Sequence, residues 1–257
     1  MMFVFDLDGT LLNSKKIISI RNKTALQKLS KRGYRIVVAT ARPPRSIDEK
    51  LRTLEIEHDT VYYNGAMIRF ADGEISGYVI QNSILNEVHN FLYEKDNDAV
   101  LTIEEKDTWY TYKKYDFEKA FCVTEGPDNI SEKNMLEKTP DKILINNYKN
   151  PREIKKIFGS KANVIETDSG SLIQIMAKEA SKETAIKDIA EKYNIVKEDI
   201  YCFGDDHNDI GMFEYCGNSI AMGNAVQELK RMATFITSGN DEDGVAEFIE
   251  NKILNNV

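Results

Sequence analysis

The chain has few of the residues that mark an extracellular or membrane protein. It contains only three cysteines in 257 residues, Cys122, Cys202 and Cys216, and no two of them have the Cys-x-x-Cys spacing. An odd number without that spacing favours a reducing compartment over a disulfide framework. The first apolar run ends at Phe5, too early for a signal peptide, and no segment approaches the roughly 20 apolar residues that cross a membrane. We therefore expect a cytoplasmic protein without a membrane partner.

Long runs of one charge sign are also missing. No run holds five or more like charges, and the net charge is −8 with an isoelectric point near 5.1. An acidic chain of this kind has no electrostatic footprint for nucleic acid. Its hydrophobic residues, 42% of the total, are enough to fill one large core or two modest ones. The sequence therefore predicts a globular protein with no nucleic-acid partner, in which any attraction for an anionic substrate must be local.

Short apolar runs recur in the first third and the last third of the chain. Their near-continuous hydrophobicity is typical of strands that are buried on both faces of a parallel sheet. The runs are residues 2–6, 34–40, 60–64, 199–205 and 218–223.

Segments with helical spacing follow these runs. In the first of them Ser19 can cap the start of a helix and Gly33 can end it. Alternation of strands and helices predicts an α/β fold with a doubly wound parallel sheet. The other helical segments are residues 46–54, 181–193, 209–215, 225–232 and 244–254.

The middle of the chain has a different pattern. Residues 68–80 hold an Asp72-Gly73 turn between alternating segments, which predicts a hairpin, and residues 99–114 predict another strand pair. We interpret the middle as an α+β insertion at roughly 81–180, so that residues 1–80 and 181–257 form one interrupted domain. Further elements are expected at 141–147, 151–158, 162–167 and 171–176.

Polar side chains follow the predicted strands at the points where these end. In open α/β sheets ligands bind beyond the carboxyl ends of the strands. Carboxylates without a Cys or His cluster suit a hard cation such as Mg²⁺, which typically binds through one or two carboxylates plus a substrate phosphate. His207 is expected to be a loop residue. The candidates are Asp6, Asp8, Thr40, Arg42, Asn64, Gly65, Asp205, Asn208 and Asp209.

Four stretches together resemble a known family. DLDGT at 6–10, Thr40, the lysine of SKETA at 181–185 and GDDHND at 204–209 resemble the four motifs of the haloacid dehalogenase-like phosphohydrolases. AMGNA at 221–225 and EDGVAEFI at 242–249 resemble the signatures of its Cof-like branch. The resemblance implies a Rossmann-like core, a mobile cap inserted between the second and third motifs, and Mg²⁺-dependent hydrolysis of a phosphate monoester through an aspartyl-phosphate.

The resemblance also implies a role for each matching residue. Asp6 is the expected nucleophile, Asp8 the general acid and base, and Thr40 and Lys182 the remaining catalytic residues. The expected metal ligands are Asp6, the main-chain carbonyl of Asp8, Asp205, and Asp209 either directly or through a water. The residues expected to bind the substrate phosphate are Leu7, Thr40, Ala41, Arg42, Asn64, Lys182 and Asn208.

Several interpretations remain open at this level. Around the third motif the chain has Ala177, Glu179, Ala180 and Glu183 where the family commonly has other residues, and Lys178 is a rival to Lys182. Arg42 and Arg45 also fit a surface or helix-start position. The aromatic residues of the insertion are expected to pack the cap rather than bind a ligand; they are Trp109, Tyr110, Tyr112 and Tyr115.

The expected substrate is a small phosphorylated metabolite, such as a sugar phosphate or a nucleotide or cofactor phosphate. Dehalogenases of the family lack an acid two residues after the nucleophile and its transport ATPases have Thr there, so Asp8 favours a phosphatase or a phosphomutase. A regulatory binding protein without catalysis is a further alternative. The pattern does not name the substrate, the cap residues that select it or the oligomeric state.

Overall fold

The computed structural model describes residues 1–121, 125–167 and 171–255. Cys122 lies outside these residues. The chain divides into two compact units, of which the first comprises residues 1–76 and 181–257 and the second residues 77–180. The first junction therefore lies at residue 76, where the sequence placed it at residue 80.

Strands in the described residues alternate with helices in the first unit and cluster in the second. In chain order they are β1 (Met2–Asp6), β2 (Arg35–Ala39), β3 (Asp59–Tyr62), β4 (Met67–Arg69), β5 (Ile75–Gly77), β6 (Val100–Glu105), β7 (Thr108–Thr111), β8 (Asp128–Asn129), β9 (Lys142–Asn146), β10 (Ala162–Thr167), β11 (Leu172–Ala177), β12 (Ile200–Gly204), β13 (Asn218–Ala221) and β14 (Phe235–Ile236).

The helices are mostly short. In chain order they are α1 (Ile20–Lys31), α2 (Pro44–Arg52), α3 (Asn82–Lys95), α4 (Phe117–Phe121), α5 (Glu132–Leu136), α6 (Pro151–Phe158), α7 (Lys182–Lys192), α8 (Ile210–Tyr215), α9 (Gln227–Met232) and α10 (Gly244–Phe248), with a π-helical turn at Ile249–Leu254. Among the described residues, none of these helices has the length and apolar character that crossing a membrane requires.

An eight-stranded sheet organises the first unit in the order β14-β13-β12-β1-β2-β3-β4-β5. β1 lies between β2 and β12 and is parallel to both, while β4 runs antiparallel to β3. The chain thus winds outward from β1 in both directions, which is the doubly wound arrangement. All five residues of β1 are buried, as the continuous apolar run predicts. The predicted α/β fold class is confirmed.

Local signals account for the helices next to the site. Ser19 accepts a hydrogen bond from the Asn22 amide at the start of α1, and Ser181 accepts one from the Thr184 amide at the start of α7. Such caps satisfy amide groups that have no partner within the helix. Gly33, with φ of +77°, follows α1 and lets the chain turn back towards β2.

The second unit is built on a six-stranded, mainly antiparallel sheet in the order β10-β11-β9-β6-β7-β8. Alternate residues of its strands, such as Ile103, Ile143 and Ile175, form one core with Leu85 of α3 and Phe158 of α6. A smaller cluster joins Trp109 to Phe117, Val100 and Leu144.

The aromatic side chains of the second unit mostly pack within it. The ring of Trp109 meets Phe117 edge-on at 5.4 Å, and Tyr110 and Tyr112 are partly buried against the main core. Tyr115 also contacts Phe117, but 38% of its surface is exposed. The packing expected for these rings therefore holds for three of them and only partly for Tyr115.

Candidate active site

The carboxyl ends of the central strands of the first unit carry the polar residues singled out by the sequence. Asp6 is the last residue of β1 and pairs in register with Ala39, so that Thr40 follows at the neighbouring strand end. On the other side, Gly204 ends β12 and Asp205 follows it. Parallel pairing therefore brings residues far apart in sequence to one edge of the sheet.

Three carboxylates converge at this edge. Asp6, Asp205 and Asp209 each offer an oxygen, and these oxygens lie within 4.8 Å of one another. Asp6 is 5% exposed and Asp209 is fully buried, so water screens their mutual repulsion poorly. The Asp8 carboxylate instead accepts hydrogen bonds from two cationic side chains, Arg42 and Lys16.

One buried lysine enters the cluster. The Lys182 ammonium donates to Asp6 Oδ1 and, at 2.7 Å, to Asp209 Oδ1, and the side chain is only 1% exposed. The rival Lys178 is exposed and donates to the main-chain carbonyl of Gly159 at 2.8 Å. The lysine that meets the carboxylates is therefore Lys182.

The pKa values reflect three carboxylates opposed by one ammonium. Burial raises the pKa of Asp6 well above its ordinary value, and the nearby Asp209 and Asp205 add to the rise against the pull of Lys182. Burial and Asp209 also raise the pKa of Asp205 to about 6. Burial alone would lower the pKa of Lys182, but the negative charges of Asp209 and Asp6 outweigh burial and raise this pKa. The cluster thus carries excess negative charge that a divalent cation would neutralise.

Asp209 also organises its own loop. Its Oδ2 accepts the main-chain N–H groups of Asp205 at 2.9 Å and Asp206 at 3.2 Å. Gly204 leaves room for this, because a Cβ there would lie 2.6 Å from Asp209 Oδ2. His207 lies in the same loop with its ring beside Glu228 at 3.3 Å, and it is exposed, as expected of a loop residue.

The Asp8 carboxylate is held by two cations. Arg42 donates from Nε to Oδ2 at 2.6 Å and from Nη2 to Oδ1 at 2.7 Å, and Lys16 Nζ donates to Oδ1 at 2.7 Å. Burial acts to raise the pKa of Asp8, but the hydrogen bonds and charges of Arg42 and Lys16 outweigh it, and the pKa lies below its ordinary value. Arg42 stands one residue before the N-cap of α2, and its side chain contacts a site carboxylate.

The remaining expected phosphate ligands lie in the loops that follow β1, β2, β3 and β12. Thr40 is 1% exposed, and its hydroxyl accepts the Arg42 amide at 3.2 Å. Asn64 has φ of +55°, and its Oδ1 accepts a hydrogen bond from Asn208 Nδ2 at 3.1 Å. The Leu7 side chain is fully buried, so it can offer a ligand only main-chain groups.

Gly65 brings the turn after β3 against the start of α7. Its φ is +106°, and a Cβ there would lie 2.0 Å from the main-chain oxygen of Ser181. Only glycine permits this approach. The contact connects the turn that carries Asn64 to the residue preceding Lys182.

The family model described as haloacid dehalogenase-like hydrolase matches residues 3–249, which is nearly the whole chain. The chain belongs to this family. The 5-amino-6-(5-phospho-D-ribitylamino)uracil phosphatase YwtE of Bacillus subtilis is 30% identical over 95% of this chain and 95% of its own length. A putative phosphatase of Haemophilus influenzae is 28% identical over 96% of each chain.

Two solved structures share the fold. The protein TM0651 of Thermotoga maritima superposes with a TM-score of 0.86 at 25% identity, covering 97% of this chain and 96% of its own. A haloacid dehalogenase-like hydrolase of Bacteroides thetaiotaomicron superposes with a TM-score of 0.83 at 27% identity, covering 97% and 98%. The resemblance to the Cof-like branch and the expectation of an enzyme, a phosphoric monoester hydrolase of this family, are confirmed.

Two side chains of this haloacid dehalogenase-like site were not singled out from the sequence. Thr10 is fully buried and donates to Asp205 Oδ1 at 3.0 Å. Its place inside the DLDGT motif could have identified it from the sequence. Lys16 lies beyond the motif in a loop, and no spacing or periodicity links it to Asp8. Only the folding of that loop, with Lys16 at φ of +59°, brings the ammonium to the carboxylate.

Proposed function

We propose that the protein is a Mg²⁺-dependent phosphatase that hydrolyses small phosphorylated metabolites through an aspartyl-phosphate on Asp6. The observation that carries this proposal is the convergence of Asp6 with Asp205, Asp209 and the buried Lys182 at the carboxyl edge of the sheet. A carboxylate in such a place can act as a covalent nucleophile and divide one difficult displacement into two easier ones.

In the first step an Asp6 oxygen attacks phosphorus while the bond from phosphorus to the ester oxygen breaks. Asp8, in its protonated form, gives its proton to the departing oxygen. In the second step Asp8 takes a proton from water, the water oxygen bonds to phosphorus, and the bond to Asp6 breaks. Two steps return both carboxylates to their starting states and release inorganic phosphate.

Positive charge and hydrogen-bond donors would stabilise the phosphoryl group during both steps. Lys182 is already placed beside Asp6, and the Thr40 hydroxyl ends the neighbouring strand. The amides of Asn64 and Asn208, which bond to each other, keep further N–H groups for a phosphate oxygen. Charge that spreads over the phosphoryl oxygens is stabilised best by such fixed groups.

The carboxylates fit a hard cation. We assign Asp6, Asp205 and the Asp8 carbonyl as ligands of Mg²⁺, with Asp209 in contact through a water or as an orienting group, because both its oxygens already accept hydrogen bonds. When bound, the ion would supply charge neutralisation for the phosphoryl oxygens and for the carboxylates that otherwise repel.

The second unit, residues 77–180, is our candidate for the cap that selects the substrate, since it is inserted between Thr40 and Lys182 in the chain. Three relatives carry 5-amino-6-(5-phospho-D-ribitylamino)uracil in their names, so that compound belongs in any substrate panel. A cytoplasmic location is supported by the two described cysteines, Cys202 and Cys216, which are free thiols.

Phosphate release tests the proposal directly. Metal-free protein is mixed with p-nitrophenyl phosphate and then with a panel of sugar phosphates, nucleotides, flavin mononucleotide, pyridoxal phosphate and the ribitylaminouracil phosphate. We expect release only after Mg²⁺ is added, and at least one panel member to be hydrolysed faster than the aryl ester.

Two outcomes would contradict the proposal. Transfer of phosphate within a sugar, dependent on a bisphosphate and with little net release, would identify a phosphomutase. Binding of panel members without turnover would identify a regulatory protein.

A further inference from the structure

The loop that carries Asp8 is held by side chains from the C-terminal part of the chain. We define the β1 loop as residues 7–17 and the clasp as Asn224, Asn240 and Asp241. Asn224 Nδ2 donates to the Gly9 carbonyl at 2.8 Å, and Asn240 Nδ2 donates to the Leu12 carbonyl at 2.9 Å. The Ser14 amide donates to Asp241 Oδ1 at 2.8 Å. Three successive parts of the β1 loop are thus bonded to a segment more than 200 residues away.

The clasp is a connected unit. Asn224 Oδ1 accepts a hydrogen bond from the main-chain N–H of Asn240 at 3.0 Å, so both the oxygen and the nitrogen of the Asn224 side chain are bonded. The preceding residue is tied down as well, because the Gly223 amide donates to the Ser238 carbonyl at 3.1 Å. A side-chain amide with both ends engaged has one orientation, and it can therefore fix the position of the carbonyl it meets.

Gly9 is a point where small displacements matter. Its φ is +84°, and a Cβ there would lie 2.1 Å from Asp205 Oδ2, so the loop backbone lies directly against this carboxylate. The Asn224 amide nitrogen itself lies 3.5 Å from Asp205 Oδ2. The Asn224 side-chain amide therefore bonds to the Gly9 carbonyl and also lies beside Asp205. Gly9 directly follows Asp8 in the β1 loop, so the position of the Gly9 main chain bears on the position of Asp8.

We propose that Asn224 is a positioning residue, which places Asp8 relative to Asp6 and Asp205 by holding the Gly9 carbonyl, and that the other two clasp residues support it. The inference rests on the proposed function, because it assigns Asp8 its role in proton transfer. Asn224 acts through the main chain of the β1 loop and not by contact with the reacting atoms.

Because Asn224 is exposed, a role in positioning Asp8 can be distinguished from a role in folding. The residue is exposed, so water can replace the hydrogen bonds lost in Asn224→Ala and the free energy of unfolding should change little. Water cannot replace the orienting effect of Asn224 on Asp8, and displacement of a reacting group by about 1 Å can lower the rate about a hundredfold. The loss should therefore appear in kcat and in loop dynamics rather than in stability.

The first experiment compares Asn224→Ala with Asn218→Ala. Asn218 Nδ2 also donates to a main-chain carbonyl, that of Glu198 at 2.9 Å, but it stands at the start of β13, at the opposite edge of the sheet. With Mg²⁺, we expect Asn224→Ala to lower kcat for an alkyl phosphate by about tenfold to a hundredfold with KM within about threefold. For an aryl phosphate the loss should be smaller, because its leaving group needs less protonation. Asn218→Ala should match the wild type.

The second experiment uses Asp241. Asp241→Asn keeps an oxygen for the Ser14 amide and should behave as the wild type, whereas Asp241→Ala removes it and should lower kcat severalfold. Hydrogen exchange supplies a readout besides activity: amides 9–14 of the metal-free protein should exchange faster in Asn224→Ala and not in Asn218→Ala.

Three results would overturn the inference. The first is a kcat for Asn224→Ala within twofold of the wild type. The second is a rise in KM with kcat unchanged, which would identify Asn224 as a substrate ligand. The third is unchanged hydrogen exchange of amides 9–14 in Asn224→Ala. If the wild type itself hydrolyses no ester, the proposed function fails, and the exchange comparison still decides whether Asn224 holds the β1 loop.

Discussion

Arg42 donates one hydrogen bond to each carboxylate oxygen of Asp8, at 2.6 and 2.7 Å. This bidentate geometry fixes the plane of the carboxylate and favours its charged form. A charged Asp8 can take a proton from water but cannot donate one to a leaving group. In the proposed mechanism this arrangement fits the second step, in which Asp8 takes a proton from water. The protonated Asp8 of the first step requires that Arg42 bind the carboxylate less tightly.

Arg42→Gln should both slow turnover and change its pH dependence. We expect kcat to fall by about tenfold to a hundredfold, because the carboxylate is no longer oriented. Arg42 and Lys16 hold the pKa of Asp8 below its ordinary value, so removing one of them raises it. Asp8 would then keep its proton to higher pH, and the alkaline limb of the kcat/KM profile should move to higher pH.

The matched control for Arg42 is Arg21→Gln, which removes an exposed pair with Glu250 at 2.6 Å. Rates measured from pH 3 to 9 for both variants check the prediction. An alkaline limb that stays in place while kcat falls would show that Arg42 acts on the substrate and not on Asp8.

Asp6→Asn should abolish turnover and leave the fold intact. The change is almost isosteric but removes the nucleophilic oxygen, and loss of covalent catalysis costs about a thousandfold or more. The metal-free variant should be no less stable than the wild type, since a buried carboxylate with a raised pKa is removed. Phosphate release and urea unfolding check both statements, with Asp72→Asn in the exposed hairpin turn as control. Residual activity above a thousandth of the wild type contradicts the nucleophile assignment.

Lys182→Met should be far more damaging than Lys178→Met. Removing the Lys182 ammonium leaves Asp6 and Asp209 buried without it, and breaking a buried ion pair costs about 3 to 5 kcal/mol. Lys178 is exposed, so its replacement should change the free energy of unfolding by less than about 0.5 kcal/mol. Urea titrations at pH 7.5 without metal measure both values. Equal values for the two variants would refute a special role for Lys182 in the cluster.

The metal-free protein should lose stability as pH rises through the carboxylate range. The pKa of Asp205 is raised from 3.8 to about 6, so between these values the native state binds more protons than the unfolded state. The free energy of unfolding therefore falls with rising pH, by about 1 to 3 kcal/mol for this partly exposed group.

Unfolding at pH 5 and pH 7.5 with a chelator tests this pH dependence. Asp205→Asn should flatten it, and Mg²⁺ should restore the stability of the wild type at pH 7.5 by about 2.7 kcal/mol at 100 times its dissociation constant. A Mg²⁺ stabilisation that is unchanged in Asp205→Asn would exclude Asp205 as a ligand.

Much of the fold is readable from hydrophobic patterning. A short continuous apolar run such as residues 2–6 is typical of an interior strand, and the caps at Ser19 and Ser181 mark where helices begin. The structure divides the two units after residue 76, four residues before the approximate junction taken from the sequence.

The sequence by itself determined which residue types stand at the strand ends, since strand periodicity and motif spacing are local properties. Tertiary structure alone decided which of them meet. Arg42 reaches Asp8 across 34 residues and Asn224 reaches Gly9 across 215. Contacts between polar side chains on loops depend on how strands and helices pack, and no local pattern encodes them. The motif already favoured Lys182 over Lys178, and tertiary structure supplied the physical reason, because α7 begins against the carboxylate cluster while Lys178 bonds to the Gly159 carbonyl.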